Sequence, residues 1–476
     1  MVFSSLLFLF RFLPCVLIIY FIAPGCFKNT WKNLVLFFAS LVFYAWGEPV
    51  YVVLMLFSTV VDYINGGLAG YFIKRDRKNA ARFFVFLSVI INLSLLGFFK
   101  YAGFVTDIWN SVSGMDIQIK ELALPIGISF YTFQTMSYTI DIYRGEAEPE
   151  KNIINFGAYV ALFPQLIAGP IVRYEDIVGE IGGGRTASLN NIEEGITRFI
   201  LGLSKKVMVA DVFALVSDQI FGLELEQLTS AVAWLGIVCY TFQIFFDFSG
   251  YSDMAIGLGK ILGFHFPENF NLPYISYSIT EFWRRWHISL SSWFRDYLYI
   301  PLGGNRKGNV YIHLLIVFIC TGLWHGAEYT FVCWGIWHGL FIVLERITKQ
   351  KKCKMSLPKC VSWSITMLIV MVGWVLFRSR DISYAIGFLR SMFGQVIPGF
   401  KFYGISYYLD NQIIVTLIAA LLLSVGVPEK IMRLFPNRSS IYLGSFIKIF
   451  VYCFLLLCCM LMIVNGNYSP FIYFRF

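Results

Sequence analysis

The stretch GNVYIHLLIVFICTGLWHGA, residues 308–327, contains no Asp, Glu, Lys or Arg. A helix needs about 20 predominantly apolar residues to cross the hydrocarbon core of a bilayer. This stretch therefore predicts a membrane-spanning helix. Similar uncharged windows follow the same pattern elsewhere in the chain, at 12–27, 33–47, 83–99, 152–172, 229–246, 361–377 and 449–474, with weaker candidates at 49–61, 122–140, 195–218, 329–344 and 411–427.

The composition agrees with a membrane protein. Hydrophobic residues make up 58% of the 476 residues, and charged residues only 14%, whereas a soluble domain is about 25% charged. The apolar blocks are too long for barrel strands, which alternate in polarity. The sequence therefore predicts an all-α polytopic membrane protein with roughly 10–13 transmembrane helices. The apolar stretch after Arg11 is expected to be the first span and not a cleaved signal.

The charges and cysteines narrow the possible partners. The net charge is +9, and basic clusters occupy 74–82 and 346–354. Such clusters beside spans are typical of cytoplasmic loops, and no basic nucleic-acid-binding module accompanies them, so nucleic acid is not a predicted partner. Most of the ten cysteines lie in predicted spans without metal-ligand spacing. We expect neither a disulfide framework nor a metal site, and no tightly bound cofactor.

The chain is predicted to form a single membrane domain over 1–476, with N-terminal helices at 1–110, a core at 121–345 and C-terminal helices at 361–476. The core is rich in Gly, Pro, Trp and Tyr. Irregular backbone survives at membrane depth only where protein or a water-filled cavity covers it, so this part is expected to line a cavity. The segment EFWRRWHISLSSWFRDYLYI, 281–300, carries too many charges for a span and predicts an amphipathic interfacial helix.

Ionisable residues within apolar segments are candidates for function. His325 is a candidate general base, since a neutral imidazole can take a proton from a hydroxyl near pH 7; a hydrogen-bonded structural histidine is the alternative. His287 is a second candidate, with an interfacial histidine as its alternative, and packing is expected for His338. Asp247 is expected to orient a histidine, pair with an arginine or hold helices together. Further candidates for a channel wall are Trp324, Asn269, Asn271, Arg285 and Gln134; simple helix kinking is the alternative at Gln134.

Several long motifs resemble those of the membrane-bound O-acyltransferase (MBOAT) family. The strongest is DFSGYSDMAIGLGKILGF followed by FPENFNLPY, SITEFWRRWHISLSSWFRDYLYIPLGGNR and TGLWHGA. The runs FYAWGEP, GFFKY, LPIGISFYTFQTMSYTIDIYRG, FPQLIAGPIVRY and GWVLFRS, together with the ending SPFIYFRF, are similar to the bacterial alginate O-acetyltransferase branch. The resemblance covers nearly the whole chain.

The resemblance implies a ring of helices around a thin central funnel, in a multi-pass protein of the bacterial plasma membrane. It implies that His325, in TGLWHGA, is the catalytic histidine. It also implies that His287, in WRRWHISLS, matches the second polar position of the family's site. It also implies an acyl thioester donor as a substrate, either acetyl-CoA or an acyl carrier protein. The acetyl group would go to an extracytoplasmic SGNH-type acetyltransferase partner that modifies a polysaccharide. The aromatic tail 469–476 has two alternative roles: it relays the acyl group, or it anchors the chain at the membrane interface.

Two other functions are considered. A D-alanyl transfer protein of teichoic acid modification belongs to the same family, and the acetyl branch motifs argue against it. A small-solute transporter or channel would also use intramembrane polar groups and broken helices. It predicts paired internal repeats, which the sequence does not display.

Overall fold

A computed structural model describes residues 1–23, 28–119, 123–350, 357–401, 403–427, 441–466 and 471, with backbone only for 441–446. Every regular element among these residues is a helix, which confirms the predicted all-α class. Six helices have the length and hydropathy to cross a membrane, and three shorter ones are apolar. The six are Val52–Lys74, Lys78–Ser113, Ser230–Leu262, Tyr329–Gln350, Lys359–Arg378 and Ile447–Asn465, and the shorter ones are Phe8–Phe21, Val310–His325 and Asn411–Ser424.

The chain divides into two compact units. The first comprises Met1–Phe199 and Tyr251–Pro267, and the second Ile200–Gly250 and Glu268–Phe476. The prediction of a single domain stays a prediction, as do the ring and its funnel. The helices that begin in the first unit are α1 (Leu13–Phe21), α2 (Lys28–Ala45), α3 (Val52–Lys74), α4 (Lys78–Leu96), α5 (Ala102–Ser113), α6 (Ile128–Arg144), α7 (Ile153–Ala161), α8 (Phe163–Leu166), α9 (Tyr174–Gly179) and α10 (Leu189–Ser204).

The helices that begin in the second unit include the one that ends at His325 and the two that flank His287. They are α11 (Asp211–Phe221), α12 (Ser230–Leu262), α13 (Ile279–Arg285), α14 (Ile288–Phe294), α15 (Val310–His325), α16 (Tyr329–Gln350), α17 (Lys359–Arg378), α18 (Ile382–Met392), α19 (Ile405–Tyr408), α20 (Asn411–Ser424) and α21 (Ile441–Asn465). Helix α12 runs on into the first unit at Tyr251. Short π-helical turns extend several helices, at Phe8–Phe12, Gly97–Tyr101, Glu180–Gly184, Lys205–Ala210 and Arg295–Tyr299.

The uncharged stretch 308–327 forms α15, as predicted. Its start is capped by the Asn309 side chain, which accepts hydrogen bonds from the backbone N–H groups of Tyr311 and Ile312. Helix α16 packs tightly on α15 because glycines remove side chains at the crossing. A Cβ on Gly322 would overlap the Phe331 carbonyl, and one on Gly335 would overlap the Phe318 carbonyl. Small residues allow such close approach between membrane helices. The crossing fixes the ends of α15 and α16 relative to each other.

Two predicted elements form differently. The window 152–172 is not one span, because the helix breaks at Leu162 between α7 and α8. Pro164 follows directly inside α8 and removes a backbone donor at the break. The segment 281–300 is helical, but it is not the single continuous amphipathic helix that was predicted. It consists of α13 and α14, joined at His287, whose backbone is left-handed with φ of 45°.

Candidate active site

His325 lies at the last position of α15 and is enclosed by aromatic rings. Its side chain is 5% exposed. The ring centroids of Trp324, Trp334 and Phe377 lie 5.0, 5.2 and 5.1 Å from that of His325, all nearly perpendicular to it. The backbone at the next residue, Gly326, is extended, so the helix ends at the histidine. A titratable ring is thus held in an apolar enclosure at a helix end.

His287 is fully buried and is fixed by Asn269. The Oδ1 atom of Asn269 lies 3.1 Å from His287 Nδ1 and accepts hydrogen bonds from the backbone N–H and the hydroxyl of Ser289, at 3.2 and 2.9 Å. The Asn269 carbonyl also accepts from the N–H of Ile288, at 3.0 Å. These contacts hold the left-handed turn between α13 and α14 and stabilise a backbone conformation that a non-glycine residue rarely adopts.

The same contacts settle the tautomer of His287. Because Asn269 Oδ1 is an acceptor, His287 Nδ1 donates to it and carries the proton. Burial lowers the pKa of His287 to about 3, so the imidazole is neutral at physiological pH. Its Nε2 atom therefore holds a lone pair, and no partner for that atom is found among the described residues. His287 can accept a proton or a hydrogen bond at Nε2.

Trp324 lies beside both histidines. Its ring centroid is 6.0 Å from that of His287 and 5.0 Å from that of His325. Four of the residues proposed from the sequence, His325, His287, Trp324 and Asn269, are thus assembled in one cluster of the second unit, here called the histidine cluster. Phe248 on α12 closes it by packing edge-on against His287 at 4.6 Å.

The other proposed channel residues make different contacts. Arg285 donates to Glu281 and to the Asn271 carbonyl, both at 3.1 Å, in a partly exposed part of the α13 turn. The side chain of Asn271 is exposed. Gln134 is buried on α6 and belongs to the first unit. Their role in a channel stays a prediction.

Asp247 was expected to orient a histidine or to pair with an arginine. The cation beside it is a lysine: Lys206 Nζ lies 2.9 Å from the Asp247 carboxylate and 2.6 Å from that of Asp211. Both Lys206 and Asp247 are buried. A buried cation between two carboxylates ties α12 to the π-helical turn Lys205–Ala210, which favours the role of holding helices together.

His338 packs as the sequence predicted. Its side chain is fully buried, and the rings of Trp283 and Trp334 lie 5.2 Å from it. Neither ring nitrogen has a hydrogen-bond partner among the described residues. A Cβ on Gly373 would lie 2.5 Å from His338 Nε2, so α17 approaches the ring closely.

Trp334 and Phe377 were missed from the sequence. Trp334 contacts both His325 and His338. It precedes His338 by four residues in α16, a spacing that places both on one helix face and would have indicated the contact. Phe377 lies in GWVLFRS, which was used for the resemblance only. Within the part of the chain that is described, no group of three or more His, Cys, Asp or Glu could hold a metal ion.

The proposed tail relay lies almost entirely outside the described residues. Of residues 469–476 only Phe471 is described. It is fully buried, with its ring centroid 6.2 Å from that of Phe248. Phe248 also packs against His287, so this one residue of the tail lies near the histidine cluster.

Comparison with known proteins gives the family. The model of the membrane-bound O-acyltransferase family matches residues 6–378. The probable alginate O-acetylase AlgI of Pseudomonas aeruginosa is 46% identical over 402 residues, covering 83% of this chain and 75% of that protein. The peptidoglycan O-acetyltransferase of Helicobacter pylori is 36% identical over 427 residues, with 83% and 80% covered.

A third relative is more distant. The teichoic acid D-alanyltransferase of Bacillus subtilis is 29% identical over 275 residues, covering 54% of this chain and 67% of that protein. The family match covers every residue of the histidine cluster. This chain is a multi-pass membrane enzyme that belongs to the membrane-bound O-acyltransferase family.

Proposed function

We propose that this protein transfers an acetyl group from a thioester donor for the O-acetylation of an extracytoplasmic polysaccharide, with His325 as the general base. The observation that carries the proposal is the enclosure of His325 by Trp324, Trp334 and Phe377, beside a second, neutral histidine. Similarity to alginate and peptidoglycan O-acetyltransferases supports acetyl as the group and a glycan as the final acceptor.

The reaction balances with the donor, the acceptor hydroxyl and one base. The neutral imidazole of His325 takes the proton of the hydroxyl while the oxygen attacks the thioester carbonyl. The new C–O bond forms, the C–S bond breaks, and the proton passes from the imidazolium to the departing thiolate. His325 is thus neutral again after each transfer. An apolar enclosure supports this chemistry because it excludes water, which would otherwise hydrolyse the thioester.

His287 has a different role in the proposal. Its Nδ1 proton is committed to Asn269, so only its Nε2 lone pair can meet a substrate. A lone pair accepts a hydrogen bond from the acceptor hydroxyl and orients it. It cannot stabilise the developing oxyanion of the thioester carbonyl, since that role requires a donor. We therefore assign hydroxyl positioning to His287 and proton removal to His325.

The proposed donor and partners lie on opposite sides of the membrane, because the acetyl group moves from the cytoplasm to the outside. The basic clusters 74–82 and 346–354 are proposed to face the cytoplasm, where acetyl-CoA or an acyl carrier protein supplies the thioester. The acceptor hydroxyl belongs to an extracytoplasmic SGNH-type acetyltransferase or to the polysaccharide itself. The proposal therefore includes a location in the bacterial plasma membrane and no tightly bound cofactor.

The test compares His325→Ala with His338→Ala, since both are buried histidines that contact Trp334. Acetate ester on surface polysaccharide is measured at matched amounts of folded protein in the membrane. We expect His325→Ala to lower acetylation at least about 100-fold, as general-base removal does. His338→Ala should keep most of the activity per folded molecule. Normal acetylation in His325→Ala would refute the assignment of the base, and D-alanine ester in place of acetate would refute the acetyl donor.

A further inference from the structure

The first unit contains two buried cations whose positive charge is incompletely balanced. Lys32 on α2 is 4% exposed and Arg185, just before α10, is 5% exposed. The Lys32 Nζ atom lies 4.9 Å and the Arg185 Cζ atom 5.7 Å from the centroid of the Tyr20 ring. The two charges therefore meet at one aromatic ring. All three residues lie outside the histidine cluster.

Arg185 is held rigidly. Its Nη2 atom donates to Asn33 Oδ1 at 2.7 Å, and its guanidinium stacks over the ring of Phe264 at 4.6 Å. The Asn33 Nδ2 atom in turn donates to Asn155 and to the Ile181 carbonyl, at 2.8 and 3.0 Å. A guanidinium fixed in this way loses little conformational freedom when it binds a ligand.

Two nitrogens of the guanidinium lack acceptors, although the Tyr20 hydroxyl also interacts with Arg185. Nε and Nη1 of Arg185 are buried, and neither makes a hydrogen bond to any described residue. An acidic side chain that acts on its charge is Glu180, whose carboxylate lies 2.6 Å from the His265 ring. Lys32 makes no ion pair among the described residues either. Buried charged donors without acceptors cost free energy, so Nε and Nη1 of Arg185 favour a ligand that supplies acceptor atoms.

We propose that Lys32 and Arg185 form a binding site for a phosphate group. Tetrahedral phosphate carries several acceptor oxygens and a negative charge, which suits a guanidinium with two open N–H groups beside an ammonium. The Tyr20 hydroxyl between the cations is neutral and donates its proton to the Leu262 carbonyl, so it does not neutralise the two positive charges. The same chemistry is offered by a phospholipid headgroup and by a soluble phosphorylated molecule.

The position of the site agrees with a ligand from the predicted cytoplasmic side. Lys32 lies in the first turns of α2, which begins at Lys28, and α3 ends at Lys74 in the basic cluster 74–82. Antiparallel helices joined by a short loop are a common arrangement, and on this expectation the start of α2 and the end of α3 lie toward the same side. Anionic lipids and phosphorylated metabolites are both present at that side.

The test uses the full chain purified in an uncharged detergent. Thermal unfolding is followed with three probes at equal ionic strength: phosphatidylglycerol, phosphatidylcholine and inorganic phosphate, with chloride as the reference. We expect a rise in the unfolding midpoint with phosphatidylglycerol or inorganic phosphate that exceeds that with chloride. A response to phosphatidylglycerol alone identifies a lipid headgroup, and a response to inorganic phosphate identifies a free phosphate compound.

Variants decide whether the two cations carry the effect. Lys32→Gln/Arg185→Gln should weaken the apparent affinity for the responding probe roughly tenfold or more. The matched control, Lys78→Gln/Arg82→Gln, removes the same charges from exposed positions of α4 and should respond like the wild type. If the double variant does not fold, Lys32→Gln alone decides, with a severalfold loss expected. An equal response to phosphate and chloride in the wild type, or a full response in the variants, would overturn the proposal.

These outcomes are separate from those of the proposed function. Acetylation depends on the histidine cluster in the second unit, and the phosphate site lies in the first. Loss of phosphate binding with normal acetylation therefore leaves the acyltransferase proposal intact. Loss of acetylation in His325→Ala leaves the phosphate site intact.

Discussion

Replacing Asn269 by alanine tests whether this residue holds His287 in place. The Asn269 Oδ1 atom accepts three hydrogen bonds, from His287 Nδ1, the Ser289 N–H and the Ser289 hydroxyl. Each buried hydrogen bond contributes about 1 kcal/mol, and the orphaned Ser289 N–H adds a desolvation cost, so we expect a loss of roughly 3 kcal/mol. At roughly 2 °C per kcal/mol for a unit of this size, the unfolding midpoint should fall by about 6 °C.

Asn269→Ala should also lower the rate of acetyl transfer by the molecules that remain folded. Without Oδ1, the His287 ring loses the contact that fixes its tautomer and orientation. A displacement of about 1 Å costs roughly 100-fold in rate when positioning matters. The assay measures thermal unfolding in detergent, together with acetyl transfer per folded molecule below the midpoint.

Asn271→Ala is the matched control for this prediction. Asn271 carries the same amide two residues further along, but its side chain is exposed and its contacts with Arg285 are made by the backbone. We expect a change within about 0.5 kcal/mol and normal acetyl transfer. If Asn269→Ala behaved like Asn271→Ala in both assays, Asn269 would not position His287, and the assignment of its tautomer would be wrong.

Three further predictions concern buried contacts of the second unit. Gly373→Ala places a Cβ 2.5 Å from His338 Nε2, and the overpacking should cost about 1–3 kcal/mol in thermal unfolding. Asp247→Asn removes one of the two carboxylates beside the buried Lys206, and should cost about 2–4 kcal/mol. Burial lowers the pKa of His287 to about 3. Between about pH 6.5 and 3, the unfolded chain therefore binds a proton at this residue that the folded chain excludes. The free energy of unfolding should decrease as the pH is lowered through this window.

Each of these predictions has a control. Gly67→Ala on α3 meets no atom within 4 Å and should be neutral or stabilising, by up to about 1 kcal/mol. Glu224→Gln breaks an exposed ion pair with Arg380 and should cost at most about 1 kcal/mol. His287→Asn keeps a residue that tolerates the left-handed backbone and removes the titration. If a variant and its control lost the same free energy of unfolding, the packing or charge argument for that variant would be wrong. If His287→Asn kept the loss of stability at low pH, the titration of His287 would not be its cause.

The membrane class, and the choice of His325 as a candidate base, followed from local sequence. Uncharged windows near 20 residues predict helices because the bilayer imposes a length and forbids unpaired backbone groups. The window 308–327 formed α15 on these grounds. His325 was singled out because an ionisable ring is costly in such a segment, and the motif TGLWHGA supported it. These arguments need no knowledge of residues far along the chain.

Breaks in the helices were only partly predictable. The core was expected to be irregular, but 152–172 was read as a single span despite Pro164, and 281–300 as one continuous helix. The break at His287 depends on Asn269, which lies outside that segment and accepts the hydrogen bonds that the turn offers. Hydrophobic periodicity reports which face a residue takes within a helix, and it does not report where a distant side chain ends the helix.

By itself, the sequence determined that this chain spans a membrane with helices, and that its buried histidines require an explanation. Both follow from the cost of placing polar groups in hydrocarbon, which depends on composition and spacing alone. The tertiary structure decided which residues meet: Trp334 and Phe377 around His325, Asn269 at His287, and Lys206 beside Asp247. These pairs are brought together by packing between helices distant in sequence, and such packing is set by the shapes of all the neighbouring side chains at once.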